Sequence, residues 1–262
     1  MFDYDLNGDG DFDWPTAEQG YFLAFLDGDI PPLNTTLTIN GIVENDNWIP
    51  TDTVVPCFAG ETLIDTPEGP RSIDDLKVGD LVLTMDSGAQ PIRWIGCRDV
   101  QQSELAINPK LRPIQVMAGA LGHGLPKRDL TLSPQHRVLV RSPIAQRIFG
   151  EQETLIAAKK LTEIPGIFVD EQAQSVSYYH MLFDKHGIVF SEGAPTESLF
   201  AGREALNAIG AEAREEVMTL FPELCSPEFT PVAARHIPEK GKHVRELVGR
   251  HIKNQKPLLA HI

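Results

Sequence analysis

Lysine and arginine are missing from the first 56 residues, which carry 11 acidic side chains. All 23 basic side chains lie further on, with the other 26 acidic ones, so the charge character of the chain changes at Cys57. The chain has a formal charge of -14 and no clustered basic run, so it lacks what phosphate contacts need. That excludes nucleic acid as a partner. It also lacks any run of about 18 apolar residues, which excludes a membrane span. The opening MFDYDLNGDG has neither the basic nor the apolar region of a cleavable signal peptide. Cysteine is scarce: Cys57, Cys97 and Cys225 are odd in number and fit neither a disulfide framework nor a zinc pattern. Aromatic residues make up only 7%, yet 42% hydrophobic content over 262 residues fills one sizeable core or two small ones, which excludes wholesale disorder.

The acidic segment 1–56 contains DLNGDGDFDWPT, whose spacing is that of an EF-hand or dockerin-type calcium loop. Asp5, Asn7, Asp9, Asp11 and Asp13 take the ligand positions and Gly10 the sharp turn. Thr16 stands where a bidentate carboxylate is expected, with Glu18 the nearest beyond it, so calcium binding here is weak. An acidic, Gly-rich turn ahead of a helix is the alternative. Such a start points to an extracellular setting. Asp27 to Pro56 reads as the tail of an upstream domain or a linker.

From Cys57 onward, short β-prone runs recur at spacings of roughly ten residues with Gly and Pro between them. They include Glu61 to Thr66, Leu81 to Thr84, Gln90 to Val100, Pro113 to Met117, Arg137 to Arg141, Thr154 to Ala157, Val176 to Phe183 and Gly187 to Ser191. This pattern predicts a mainly β body over 57–200. Beyond it, 201–262 turns helical: Leu206, Ile209, Ala213, Val217, Leu220 and Leu224 recur at helical spacing, and Lys240 to Lys253 predicts a second amphipathic helix.

Cys57 opens the β body. A thiol at the first position of a domain lies close to the carbonyl carbon of the preceding residue and can attack its own peptide bond to form a thioester. SPQHRVLV places Ser133 three residues before His136, ahead of a strand. YYHMLFDKHGIVFSEG places His180, Asp184 and His186 on or beside one strand, where even spacing predicts a shared face. A face of imidazoles and a carboxylate suits either a hydrogen-bond relay or Zn²⁺.

Together, CFAGETLIDTPEG, LKVGDLVLT, SPQH and YYHMLFDKHG resemble the motifs of the Hint superfamily, the self-processing domain shared by inteins and hedgehog proteins. The chain looks most like the bacterial intein-like branch of stand-alone domains. The resemblance implies that Cys57 performs an N-to-S acyl shift. It also implies that Ser133 and His136, matching a Thr-x-x-His motif, orient the scissile amide and protonate its leaving nitrogen. His180 stands where inteins usually have Asp, and His186 matches the later histidine. Thr196, Glu197 and Ser198 replace the terminal His-Asn pair, so splicing is not expected. The implied outcome is autocatalytic cleavage of Pro56-Cys57, with the upstream polypeptide as substrate and water or an outside amine or thiol resolving the thioester. No cofactor is required for it. A proline acyl group is hindered, which slows the shift. Two other readings are a silent Hint-like binding module with a calcium-loaded start, and acyl transfer of the upstream segment to an external acceptor.

Overall fold

The computed structural model describes residues 56–202, 205–206, 211–226 and 231–260. The calcium-loop residues Asp5 to Asp13 lie outside them. Among the described residues fourteen strands follow one another. They are β1 (Phe58–Ala59), β2 (Leu63–Thr66), β3 (Gly69–Ser72), β4 (Leu81–Thr84), β5 (Gly88–Pro91), β6 (Trp94–Val100) and β7 (Ile114–Val116). Then come β8 (Leu130–Leu132), β9 (Arg137–Arg141), β10 (Glu153–Ala157), β11 (Ile167–Val169), β12 (Val176–Leu182), β13 (Ile188–Ser191) and β14 (Ala194–Glu197). Interspersed are helices α1 (Gln102–Ile107), α2 (Pro143–Phe149), α3 (Ala211–Leu220) and α4 (Gly241–Asn254). The architecture is mainly β, as the sequence predicts. No helix among the described residues is long and apolar enough to cross a membrane.

The strands form two antiparallel sheets. One runs β11-β7-β8-β1-β12-β6; the other runs β10-β9-β14-β13-β2-β3, with β4 paired to β13 and β5. In β2 and β4 every second residue is buried, Ile64 and Thr66 in one and Val82 and Thr84 in the other. One face of each therefore meets the core and the other meets water. β9 and β10 instead bury three residues in a row, because both of their faces are covered. Val138, Val140 and Ile156 enter the main core, while Leu139 and Leu155 meet Ala234 and Ile237 on the outer side. α4 turns Val244, Leu247 and Val248 into that main core.

Several elements differ from expectation. The run from Gln90 to Val100 is two strands, broken after Pro91 because proline cannot donate to a ladder. The first C-terminal helix is described over Ala211–Leu220 and ends before Pro222, as its apolar spacing predicts. α1, α2 and β14 were not foreseen. The shared face of His180, Asp184 and His186 does not form, because β12 ends at Leu182 and side chains alternate only while the chain stays extended.

Candidate functional site around Cys57

Register builds the site. β1 is two residues long and lies between β8 and β12, with Phe58 opposite Leu132 on one side and Tyr179 on the other. One step back along β1 is Cys57, and one step on from each partner are Ser133 and His180. Antiparallel pairing therefore sets Cys57 between a hydroxyl and an imidazole. The Cys57 amide donates to Ser133 Oγ at 2.9 Å, and the Ser133 amide returns a bond to the Cys57 carbonyl at 3.0 Å. A tight turn, closed by the His136 amide on the Ser133 carbonyl at 3.0 Å, then brings His136 back before β9 departs into the other sheet.

His180 touches both the residue before Cys57 and the thiol itself. Its Nδ1 lies 3.0 Å from the Pro56 carbonyl oxygen, and its Nε2 lies 3.6 Å from Cys57 Sγ. A carbonyl oxygen only accepts, so Nδ1 carries the proton and Nε2 presents its lone pair to the thiol. Burial pushes the His180 pKa down to about 4, against the favourable pull of the Pro56 carbonyl, so the ring is neutral at pH 7. The indole of Trp94 stacks beside it, with ring centroids 6.4 Å apart. Trp94 Nε1 donates to Glu216 on α3 at 2.9 Å.

Burial raises the Cys57 thiol well above its ordinary pKa, and hydrogen bonding to Ser133 offsets part of the rise. The side chain is 3% exposed and packs with Trp94, Tyr178, Val217 and Phe221. Such a thiol is not a spontaneous thiolate. It needs a base at contact distance, which His180 Nε2 supplies.

His136 is buried against the Phe58 ring, with centroids 4.3 Å apart. Neither ring nitrogen makes a hydrogen bond to any described residue. A buried imidazole without partners costs about 1–3 kcal/mol. Burial pushes its pKa down to about 4, opposed by the Glu197 carboxylate and by the Cys57 backbone beside the ring. The neutral ring at pH 7 differs from the near-neutral pKa that a proton donor is expected to have.

The other predicted residues lie elsewhere. Asp184 is exposed and pairs with Arg93 at 3.3 Å. His186 accepts from the Ala234 amide through Nδ1 at 3.0 Å, and its Nε2 lies 3.3 Å from Glu197. No group of three or more His, Cys, Asp or Glu among the described residues could hold a metal ion, so the zinc alternative for His180, Asp184 and His186 finds no geometry. Cys97 is on β6 opposite Tyr179 and is exposed. Two residues escaped sequence reasoning: Trp94 and Glu197. Trp94 sits in a β run without any motif, and Glu197 carries no signal beyond its place in the slot left by the missing His-Asn pair.

A β body of this topology, with a buried cysteine at its first strand and a Ser-x-x-His turn against it, has the architecture of a self-processing Hint domain. The chain belongs to the Hint family: the family model described as the Hint domain matches residues 56–203. Solved structures resembling it include the gp41-1 intein, at 13% identity over 55% of this chain and 98% of that one, with a TM-score of 0.35. The bacterial intein-like domain from Clostridium thermocellum is 14% identical over 54% of this chain and 97% of its own, also at 0.35. The Ssp DnaB mini-intein variant M86 is 8% identical over 56% and 97%, at 0.36. No curated protein matches the chain.

Proposed function

We propose that the domain cleaves its own chain between Pro56 and Cys57 by an N-to-S acyl shift, without splicing. The observation that carries this is the single imidazole of His180 lying against both the scissile carbonyl oxygen and the attacking sulfur. His180 Nε2 takes the proton from Sγ, sulfur bonds to the Pro56 carbonyl carbon, and Nδ1–H meets the negative charge that develops on oxygen. The carbon–nitrogen bond then breaks. The Cys57 nitrogen leaves as an amine with a proton from the imidazolium form of His136, while Ser133 Oγ holds that nitrogen in line. In sum one proton leaves sulfur and one arrives on nitrogen.

Water then attacks the thioester carbon and the carbon–sulfur bond breaks. A Pro56 carboxylate forms and the thiol regains its proton. An outside amine or thiol in place of water gives acyl transfer instead. Burial of Cys57 among Trp94, Val217 and Phe221 limits access of water and of larger nucleophiles alike, which slows resolution of the thioester. Glu197 is tied to Arg137 and cannot replace the asparagine that releases a downstream segment.

The test is intact-mass analysis of the full chain at pH 7 with and without hydroxylamine, beside Cys57→Ala. Fragments 1–56 and 57–262 accumulate faster with hydroxylamine and are absent from the variant. A chain that stays intact in every condition overturns the proposal in favour of a silent binding module.

A further inference from the structure

Glu197 is fully buried, an expensive place for a carboxylate. It ends β14, whose Thr196 pairs with Val138 on β9, and this brings it to the start of β9 where His136 enters. Its Oε1 accepts from the Arg137 backbone amide at 2.8 Å, the peptide that leaves His136. The Arg137 guanidinium closes on both carboxylate oxygens, at 3.1 and 2.9 Å. His186 completes the set. Its Nδ1 accepts from Ala234, so its proton is on Nε2, which lies 3.3 Å from Oε2 without a hydrogen bond forming between them. A buried pair of this kind adds little net stability against apolar replacements, so stability alone is a poor account of it.

We infer that Glu197 is a positioning residue for His136: it clamps the peptide that follows the ring and places a negative charge near a buried imidazole. Its role rests on the cleavage reading above. His136 must be an imidazolium when the Cys57 nitrogen departs, and its burial makes that form scarce. The charged and titratable groups around the ring are Glu197 on β14, Arg137 on its own strand, His180 on β12 and Cys57 ahead of β1. Of these, Glu197 favours the cation most, while Arg137 and His180 oppose it. Glu197 therefore raises the supply of the proton donor without touching the scissile bond.

The experiment uses the full chain with Cys57→Ala, in which the precursor stays intact whatever its chemistry. His136, among eight histidines, is followed by NMR with labelled histidine, assigned by its loss in His136→Gln. Its titration is read from the foot of the curve, where the protein is folded. Glu197→Gln keeps the shape and removes the charge; the His136 midpoint falls by about one pH unit. The double variant Glu197→Gln/Arg137→Gln leaves no buried charge and is the better tolerated fold. There the midpoint falls by roughly half as much, because the guanidinium that opposed Glu197 is gone too. With Cys57 restored, Glu197→Gln cleaves about tenfold more slowly at pH 7, the equilibrium equivalent of that shift. A His136 midpoint at the wild-type value in either folded variant overturns the inference. Since the titration needs no cleavage, a chain that never cleaves defeats the proposed function and leaves this result standing or falling by itself.

Discussion

Two buried serine–histidine arrangements among the described residues are opposite in one respect. In the second, His251 of α4 donates from Nδ1 to the Lys256 carbonyl and accepts at Nε2 from Ser142 Oγ, both at 3.0 Å. Ser142 in turn caps α2 by accepting from the Ala145 amide at 3.1 Å. Every polar atom there is used, and the result is a rivet between two helices and a strand. At Ser133 and His136 the hydroxyl serves the Cys57 amide, while the ring nitrogens make no hydrogen bond to described residues. Both sites have the same residue types and the same depth of burial. Saturation separates them: a satisfied imidazole stabilises the fold, and in the cleavage we propose an unsatisfied one beside Cys57 is free to carry a proton.

Exchanging the two histidines for alanine breaks this comparison most sharply. His136→Ala slows cleavage by about a hundredfold or more, as loss of a general acid does, and leaves unfolding by urea within about 1 kcal/mol of wild type. His251→Ala does the reverse: cleavage stays within about twofold and stability falls by about 2–3 kcal/mol. Mass-spectrometric time courses and urea titrations read both. At His180, His180→Phe keeps a ring against Trp94 but removes base and oxyanion donor, so cleavage falls by about a hundredfold while the fold survives.

Acid should sharpen the contrast further. His136 and His180 have folded pKa values of about 4, below the 6.5 of the unfolded chain. The unfolded state therefore binds more protons between these values. Their contribution is complete above pH 6.5 and is lost as pH falls towards 4, by about 3 kcal/mol for each ring. Burial lowers His251 as well, so it adds in the same direction. Stability that stays flat from pH 7 to pH 4 in urea titrations contradicts this. The smallest effects belong to the serines. Ser133→Ala slows cleavage about tenfold, whereas Ser142→Ala costs about 1 kcal/mol as a lost helix cap and leaves cleavage unchanged.

Much of the β body is legible in the sequence because aliphatic runs between Gly and Pro leave few other choices. Leu81 to Thr84 and Arg137 to Arg141 end where their patterns end. α2 was legible too, and missed: Ser142 before Pro143 is a cap followed by a first-turn proline, and Gly150 closes the helix in a left-handed conformation. β14 offers no such cue. A strand reading Ala-Pro-Thr-Glu looks like a loop, and only its complete burial reveals it. The site divides in the same way. Cys57, Ser133, His136 and His180 stand out in motifs, but what joins them is the register of β1 with β8 and β12, which bonds Cys57 to Ser133 and Pro56 to His180 across 76 and 124 positions. Asp184 and His186 do not share the face of His180, because alternation ends with β12 and the turn beyond it sends one to solvent and the other to Glu197.

Pro56 and Cys57 form the only Pro-Cys step in the chain, since Gly96 precedes Cys97 and Leu224 precedes Cys225. Labelling proline carbonyl carbon with ¹³C and cysteine nitrogen with ¹⁵N therefore creates one coupled pair, at the scissile bond itself. Followed over time by NMR, that coupled signal should fade as a thioester carbonyl appears, and hydroxylamine should remove the thioester. In Cys57→Ala no coupled signal arises, and its proline carbonyls stay amides throughout. A wild-type signal that keeps its coupling indefinitely, with His180 in place against Pro56 and Cys57, contradicts the account at its centre.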